Sequence, residues 1–232
     1  TPHSIYFALK GERFNGNLFA QQALDGGSDF AVVDEEVESN DPRIIRVDDA
    51  LKAMQDIALM YRQSMTIPFL AITGSNGKTT TKELIHAVLK TQFNTGATKG
   101  NLNNHIGVPL TLLSFTNETE IGIVEMGANH QKEIEFLCSI CEPDVGYITN
   151  FGKAHLEGFG GIEGVIKGKS ELYTYLKSNN KIAFVDANDA KQLELTNTME
   201  RISLDSSISI SSSQPYISLN YKNKIIDTQL IG

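Results

Sequence analysis

The residues with the strongest chemical signature fall in one run, Thr73-Gly74-Ser75-Asn76-Gly77-Lys78-Thr79-Thr80-Thr81. Two glycines let the backbone turn tightly and aim its N–H groups at phosphate. A lysine at the second glycine's heel can reach the β- and γ-phosphates, and the Thr79 hydroxyl can ligate Mg²⁺. The apolar run Phe69 to Ile72 precedes this turn, and Leu84, Ile85, Val88 and Leu89 follow it at helical spacing. Strand, loop and helix are predicted, with the helix N-terminus adding partial positive charge. The spacing is Gly-x-x-Gly-Lys-Thr; the longer phosphate loop would need a glycine where Ile72 stands. An ordinary glycine turn explains neither Lys78 nor the threonines. Gly74, Ser75, Asn76, Gly77, Lys78, Thr79 and Thr80 are therefore the nucleotide-binding candidates, with a nucleotide's phosphates and Mg²⁺ as the expected ligands.

Further candidates lie at the ends of later elements. Ile121 to Glu125 reads as a strand ending in a carboxylate. In open α/β sheets ligands sit beyond the carboxyl ends of strands, so Glu125 is expected to share the nucleotide's Mg²⁺. The stretch from Gly96 to Pro109 is polar, glycine-punctuated and long for a connection; it reads equally as a functional loop and as a solvated one. His155 stands in another glycine-rich loop, where a lone histidine is ordinarily a surface or packing residue. Lys169 lies beside the apolar positions of a helix from Ile162, either snorkelling or desolvated into a neutral, reactive amine. Cys138 and Cys141 have redox-pair spacing but end an amphipathic segment rather than begin one, which favours two core thiols.

These elements need a core, and 232 residues at 41% hydrophobic can build one or two modest domains. The net charge of −8 argues against nucleic acid and anionic membrane as partners. No stretch is apolar for the length of a membrane span and no signal pattern opens the chain, so a cytoplasmic protein without membrane insertion is expected.

In order, the chain predicts a strand over 4–9 and a glycine-bounded loop over 10–16. A helix capped by Asn17 follows, with Leu18, Phe19, Ala23 and Leu24 on its apolar face. Strands Phe30 to Val33 and Ile44 to Val47 come next, then a helix capped by Asp48 with Leu51, Met54, Ile57, Ala58 and Tyr61 inward. Residues 1–64 are expected to form a small N-terminal α/β domain, 65–68 a linker, and 69–232 an incomplete P-loop domain with a mostly parallel sheet. Beyond residue 205, strands Ser206 to Ser213, Tyr216 to Tyr221 and Ile225 to Leu230 are predicted as an antiparallel hairpin or small sheet.

Taken together, these stretches resemble the Mur ligase family. The resemblance is carried by Phe7 to Gly16, Thr73 to Thr81, Gly100 to Pro109, Glu125 to His130, Thr149 to Glu157 and Gly168-Lys169-Ser170-Glu171. The short phosphate loop is shared with folylpolyglutamate synthetases, which lack a UDP-binding domain ahead of it. Asn101 to Pro109 and Gly127-Ala128-Asn129-His130 are most similar to the branch that adds D-alanyl-D-alanine. The resemblance implies a three-domain, ATP-dependent ligase of peptidoglycan synthesis, acting as a monomer. It implies that the carboxylate of a UDP-N-acetylmuramoyl-tripeptide takes the γ-phosphate of ATP and that the amine of D-alanyl-D-alanine attacks the acyl phosphate.

By the same resemblance, Lys78, Glu125, His155 and Lys169 are catalytic. Thr79 and Glu125 hold one Mg²⁺, and His155 with a carbamylated Lys169 holds a second. Lys10, Gly11, Arg13, Asn15 and Gly16 contact substrate in the first domain, and Asn103, Asn104 and His105 in the second. Two features depart from the family: the segment ahead of the first strand is absent, and Gly168-Lys169-Ser170-Glu171 stands where Ala-Lys-Gly-Glu is usual. As a fragment, the chain is expected not to complete ligation alone. The rival expectations are a diamino-acid-adding Mur ligase, a folylpolyglutamate synthetase, and a non-catalytic nucleotide-binding scaffold.

Overall fold

The computed structural model describes residues 2–153, 155–203 and 208–231. Strand β1 (Ile5–Phe7) leads into a tight hairpin, β2 (Lys10–Gly11) and β3 (Phe14–Asn15), then a 3₁₀ turn over Gly16–Phe19 and helix α1 (Ala20–Asp25). Strands β4 (Phe30–Val33) and β5 (Ile44–Arg46) join β1 in a parallel sheet of order β1-β4-β5. Ala8, Ala20, Leu24, Ala31 and Val33 form the small core between this sheet and α1.

Helix α2 (Ala50–Ser64) crosses from this unit to the next. The backbone N–H of Ala50 reaches Asp34 at the end of β4, while Ala58 belongs to the larger core. Met65 and Ile67, in the expected linker, also pack against that core.

The second unit alternates strand and helix. In order it comprises β6 (Phe69–Thr73), α3 (Lys78–Leu89), β7 (Thr95–Ala97), α4 (Gly107–Leu113), β8 (Ile121–Glu125), α5 (Glu133–Cys141), β9 (Val145–Ile148), α6 (Leu156–Phe159), α7 (Ile162–Ser178), β10 (Ile182–Val185), α8 (Ala190–Leu195) and β11 (Arg201–Ser203). Its six strands run parallel in the order β11-β10-β9-β6-β8-β7. The fold is thus α/β with a mostly parallel sheet, as the alternating pattern predicts. Strand β6 sits between β8 and β9, so the chain reverses its direction of travel across the sheet there. A crevice opens at such a point beyond the strand ends. The central strands are near-continuous apolar runs because both faces are covered: Ala71, Ile72, Ile123 and Val124 are fully buried.

After β11 the chain forms an antiparallel sheet of β12 (Ile208–Ser212), β13 (Tyr216–Tyr221) and β14 (Lys224–Ile231), in agreement with the expected alternation. Residues 206 and 207 of the expected first strand lie outside the described residues.

Several local expectations are corrected. The strand predicted over 4–9 is only three residues long, because the hairpin from Lys10 takes over the backbone pairing. Asn15, not Asn17, caps the turn before α1, accepting from the Asn17 N–H; Asn17 is buried and bonds Asp34 instead. Leu18 and Phe19 are exposed, with the Phe19 ring stacked on Phe14. Asp49 rather than Asp48 caps α2. The stretch 96–109 is not all loop, since it contains the end of β7 and the start of α4. There the Asn104 carboxamide oxygen accepts from the N–H groups of Ile106 and Gly107. Cys138 and Cys141 are buried core thiols, as expected. Burial raises both pKa values, that of Cys141 to about 12, so neither is a ready thiolate.

Candidate functional site

The phosphate loop leaves β6 at the crevice and enters α3. Gly74 has φ +137°, and a Cβ there would stand 2.0 Å from the Thr149 hydroxyl oxygen, so neither conformation nor space admits a side chain. Gly77, at φ 77°, caps α3 in a left-handed conformation.

The segment after β9 clasps the loop. Ser75 N–H donates to the Asn150 carbonyl (3.1 Å), and Ser75 Oγ donates to the carbonyl of Gly152 (2.8 Å). The Asn76 carbonyl accepts from Thr149 Oγ1 and Asn150 Nδ2. Lys78 Nζ lies over the turn, donating to the carbonyls of Gly74 (2.8 Å) and Ser75 (3.3 Å). Burial lowers its pKa, and the charge of Glu125 opposes that shift. Thr79 and Thr80 are exposed on the first turn of α3.

Glu125 ends β8 beside this helix. It is 1% exposed, and its Oε1 accepts from Thr79 Oγ1 (3.2 Å) and Asn103 Nδ2 (2.8 Å). Its Oε2 is buried without a hydrogen-bond partner. A carboxylate oxygen left bare in a buried position is costly, and a hard cation would satisfy it. Thr79 and Glu125 together offer the oxygen donors that Mg²⁺ prefers, so this pair fits the ion.

Lys169 is as buried as Glu125, at 1% exposed, on α7. Its Nζ donates to the Ala128 carbonyl (3.0 Å) and stands 5.1 Å from the centre of the Phe159 ring. Burial, reinforced by the charge of Lys78, lowers its pKa to about 8. His155 opens α6 with φ 52° and lines the crevice. Among the described residues no hydrogen bond joins Lys169 to His155, and no three His, Cys, Asp or Glu side chains gather into a metal site. An unmodified amine does not fit Mg²⁺, which takes oxygen; a carbamate on Lys169 would.

A cavity of about 760 Å³ opens beside these groups, lined by Lys78, Asn103, Asn104, His105, Asn129 and His155, with Gln55 from α2 on its wall. Gln55 donates to the carbonyl of His105 (3.0 Å), tying that loop to α2. The Gly127–Lys132 wall is held by two carboxylates. Glu133 accepts from the N–H groups of Asn129 and His130, and Glu171 from those of Lys132 and Glu135.

The first-unit candidates gather elsewhere, on the β2–β3 hairpin, and none of them lines this cavity. Lys10 pairs with Asp34 (3.1 Å) and Glu35 (3.3 Å), which raise its pKa in that order. Asn15 Nδ2 donates to Glu35. Gly11 and Arg13 are exposed at the hairpin tip and Gly16 is buried beneath it.

Sequence reasoning singles out neither Asn150 nor Glu171, although both stand in stretches that carry the family resemblance. It also passes over Lys82, the buried cation of α3, because a hydrophobic-periodicity reading scores lysine as solvent-facing.

The profile of the Mur ligase middle domain matches residues 72–229. The chain is similar to the UDP-N-acetylmuramoyl-tripeptide–D-alanyl-D-alanine ligase of Bacillus subtilis (strain 168), at 42% identity over 186 residues, 79% of this chain and 40% of that protein. It therefore spans about two-fifths of that relative's length. In structure it is similar to MurF from Acinetobacter baumannii, with a TM-score of 0.84 and 31% identity over 99% of this chain and 54% of that one. It is also similar to the MurF ligase of Thermotoga maritima in complex with ADP, with a TM-score of 0.82 and 28% identity over 100% of this chain and 56% of that one. The matched profile covers well over half of the sequence and includes the phosphate loop, Glu125, His155 and Lys169, and on that ground the chain belongs to the Mur ligase family.

Proposed function

We propose that this chain carries the acyl-activating centre of an ATP-dependent ligase that joins D-alanyl-D-alanine to UDP-N-acetylmuramoyl-tripeptide. The observation that carries this reading is the Glu125 carboxylate, engaged by Thr79 and Asn103 through one oxygen and bare at the other, beside a phosphate loop. Likeness to relatives named for that reaction, and to one solved with ADP, supports the choice of substrates.

In this reading Gly74 to Thr80 wrap the phosphates of ATP, and Lys78 turns from its loop carbonyls toward the β- and γ-phosphates. Bound Mg²⁺ would neutralise phosphate charge, held by Thr79 and Glu125, with a second ion held by His155 and the carbamate of Lys169. With a pKa near 8, Lys169 holds a useful fraction of free amine at neutral pH for reaction with CO₂. The substrate carboxylate attacks the γ-phosphorus, the bond to the β-phosphate oxygen breaks, and ADP leaves. The dipeptide amine then attacks the acyl carbon, loses a proton and expels inorganic phosphate, forming the amide.

Asn103, Asn104 and His105 line the cavity that would take the peptide end of the substrate. Lys10, Gly11, Arg13, Asn15 and Gly16 would take the UDP-sugar end in a first domain of residues 1–64, joined by 65–68 to the ATP domain of 69–232. Nucleotide-linked substrates and ATP place the reaction in the cytoplasm.

The test is phosphate release from ATP by the whole protein that carries this chain, given UDP-N-acetylmuramoyl-tripeptide. Release with D-alanyl-D-alanine and not with single amino acids is expected. Release only with a diamino acid, or only with glutamate and a folate, overturns the substrate assignment. Absence of release with every pair overturns the catalytic reading in favour of a scaffold.

A further inference from the structure

Helix α3 buries one side chain completely, and it is a cation. Lys82 is 0% exposed, whereas Leu84 and Val88 of the same helix face solvent and Ile85 and Leu89 are only half-buried. Burying an ammonium is costly unless each of its three donors is met. Three oxygens meet it here: the carbonyls of Thr98 (2.6 Å) and Gly100 (3.4 Å), and Glu83 Oε1 (2.9 Å).

The backbone that Lys82 grips is the one that addresses Glu125. Thr98 Oγ1 accepts from the Glu125 N–H (2.9 Å), and Thr98 N–H donates to the Ile123 carbonyl (3.0 Å). Three residues past Gly100, Asn103 donates its side-chain amide to Glu125 Oε1, and its carbonyl accepts from Gly127 N–H (2.7 Å). The segment 98–103 is therefore held by α3 through Lys82 and by β8 through Glu125 and its neighbours.

We propose that Lys82 is a positioning residue for the metal-binding carboxylate, fixing the Thr98–Gly100 backbone so that Thr79 and Asn103 address one oxygen of Glu125 and leave the other to the cation. This rests on the reading of Thr79 and Glu125 as Mg²⁺ ligands. Groups that orient a ligand from behind it contribute to metal affinity nearly as the ligands do, whereas a residue that only holds the fold together affects every ligand alike.

The experiment is calorimetric titration of the whole protein that carries this chain with ADP, in Mg²⁺ and in EDTA, for the wild type, K82M and K82R. The wild type is expected to bind ADP more tightly in Mg²⁺; absence of that gain overturns the metal-site reading, and this proposal with it. K82M is expected to lose roughly 10–100-fold of the Mg²⁺ gain while binding metal-free ADP as the wild type does. K82R, which keeps the charge and donors, is expected to recover most of it. A wild-type gain in K82M, or an equal loss with and without metal, overturns the proposal. Should K82M fail to fold, T98V cuts the same relay one bond nearer Glu125: a lost gain supports the proposal and a wild-type gain overturns it.

Discussion

Asn103 Nδ2 and Glu125 Oε1 lie 2.8 Å apart, although 22 residues separate them in sequence. Thr79 reaches the same oxygen from a third element, so strand, loop and helix converge on one side of a carboxylate. The other side is left bare and buried, which is how a protein holds a ligand oriented for an ion.

Asn103→Ala should therefore free the carboxylate to rotate. The expected result is a roughly tenfold loss in the Mg²⁺-linked part of nucleotide affinity, with metal-free binding retained. Calorimetric titration in Mg²⁺ and in EDTA measures both. Equal affinities in the variant and the wild type would contradict this role of Asn103.

Arg62 joins α2 to the P-loop unit. Its guanidinium donates to the carbonyls of Cys141 (2.7 Å), Glu142 (2.7 Å) and Met65 (3.3 Å), reaches Asp144 (3.1 Å), and lies 4.0 Å over the Phe69 ring. Arg62→Ala takes the guanidinium donors away from the Cys141, Glu142 and Met65 carbonyls, while Asp144 keeps Lys181 and the Phe69 N–H, and a loss of roughly 1–3 kcal/mol is expected. Urea unfolding would show it as a lower midpoint at unchanged slope. Arg62→Lys should recover only part, since an ammonium cannot serve that fork of acceptors. A midpoint within error of the wild type in Arg62→Ala contradicts this role.

Lys169 makes stability depend on pH with a definite sign. The unfolded side chain keeps its proton up to its ordinary pKa of 10.5, whereas the folded one releases it near 8. The fold thus carries the full cost of the buried charge below pH 8 and is relieved of it as pH rises from 8 to 10.5. In CO₂-free buffer, the stability of the wild type relative to Lys169→Met should rise by on the order of 3 kcal/mol as pH passes through that window. Denaturant midpoints of the pair across pH 7 to 10.5 are the measurement; a constant difference would contradict it. In the whole enzyme, Lys169→Ala should lose activity and regain part of it with short carboxylates, whereas full activity without rescue would remove Lys169 from the site.

The sheet was legible because its central strands carry unbroken apolar runs, Phe69 to Ile72 and Ile121 to Val124, bounded by turn residues. The phosphate loop was legible because glycine, lysine and threonine at fixed spacing admit few other uses. Strand β7 and helix α4 were not, because Thr95–Ala97 is a short edge strand and Pro109 sits in the first turn of α4. The apolar face predicted for α2 is buried or half-buried, but the polar groups buried on α2 and α3 were not legible. Gln55, Arg62 and Lys82 take positions that periodicity gives to apolar residues, and what stabilises them is a set of carbonyls far along the chain. Such partners have no signature in a local window.

The bare oxygen of Glu125 is the centre of this account, and its most direct test is Glu125→Gln in ADP titrations with Mg²⁺ and with EDTA. Removing the charge while keeping the shape should abolish the Mg²⁺ gain, by roughly 10–100-fold, and leave metal-free ADP binding unchanged or tighter, since a negative charge beside the phosphates is gone. An undiminished Mg²⁺ gain in Glu125→Gln would contradict the assignment of this carboxylate to the metal.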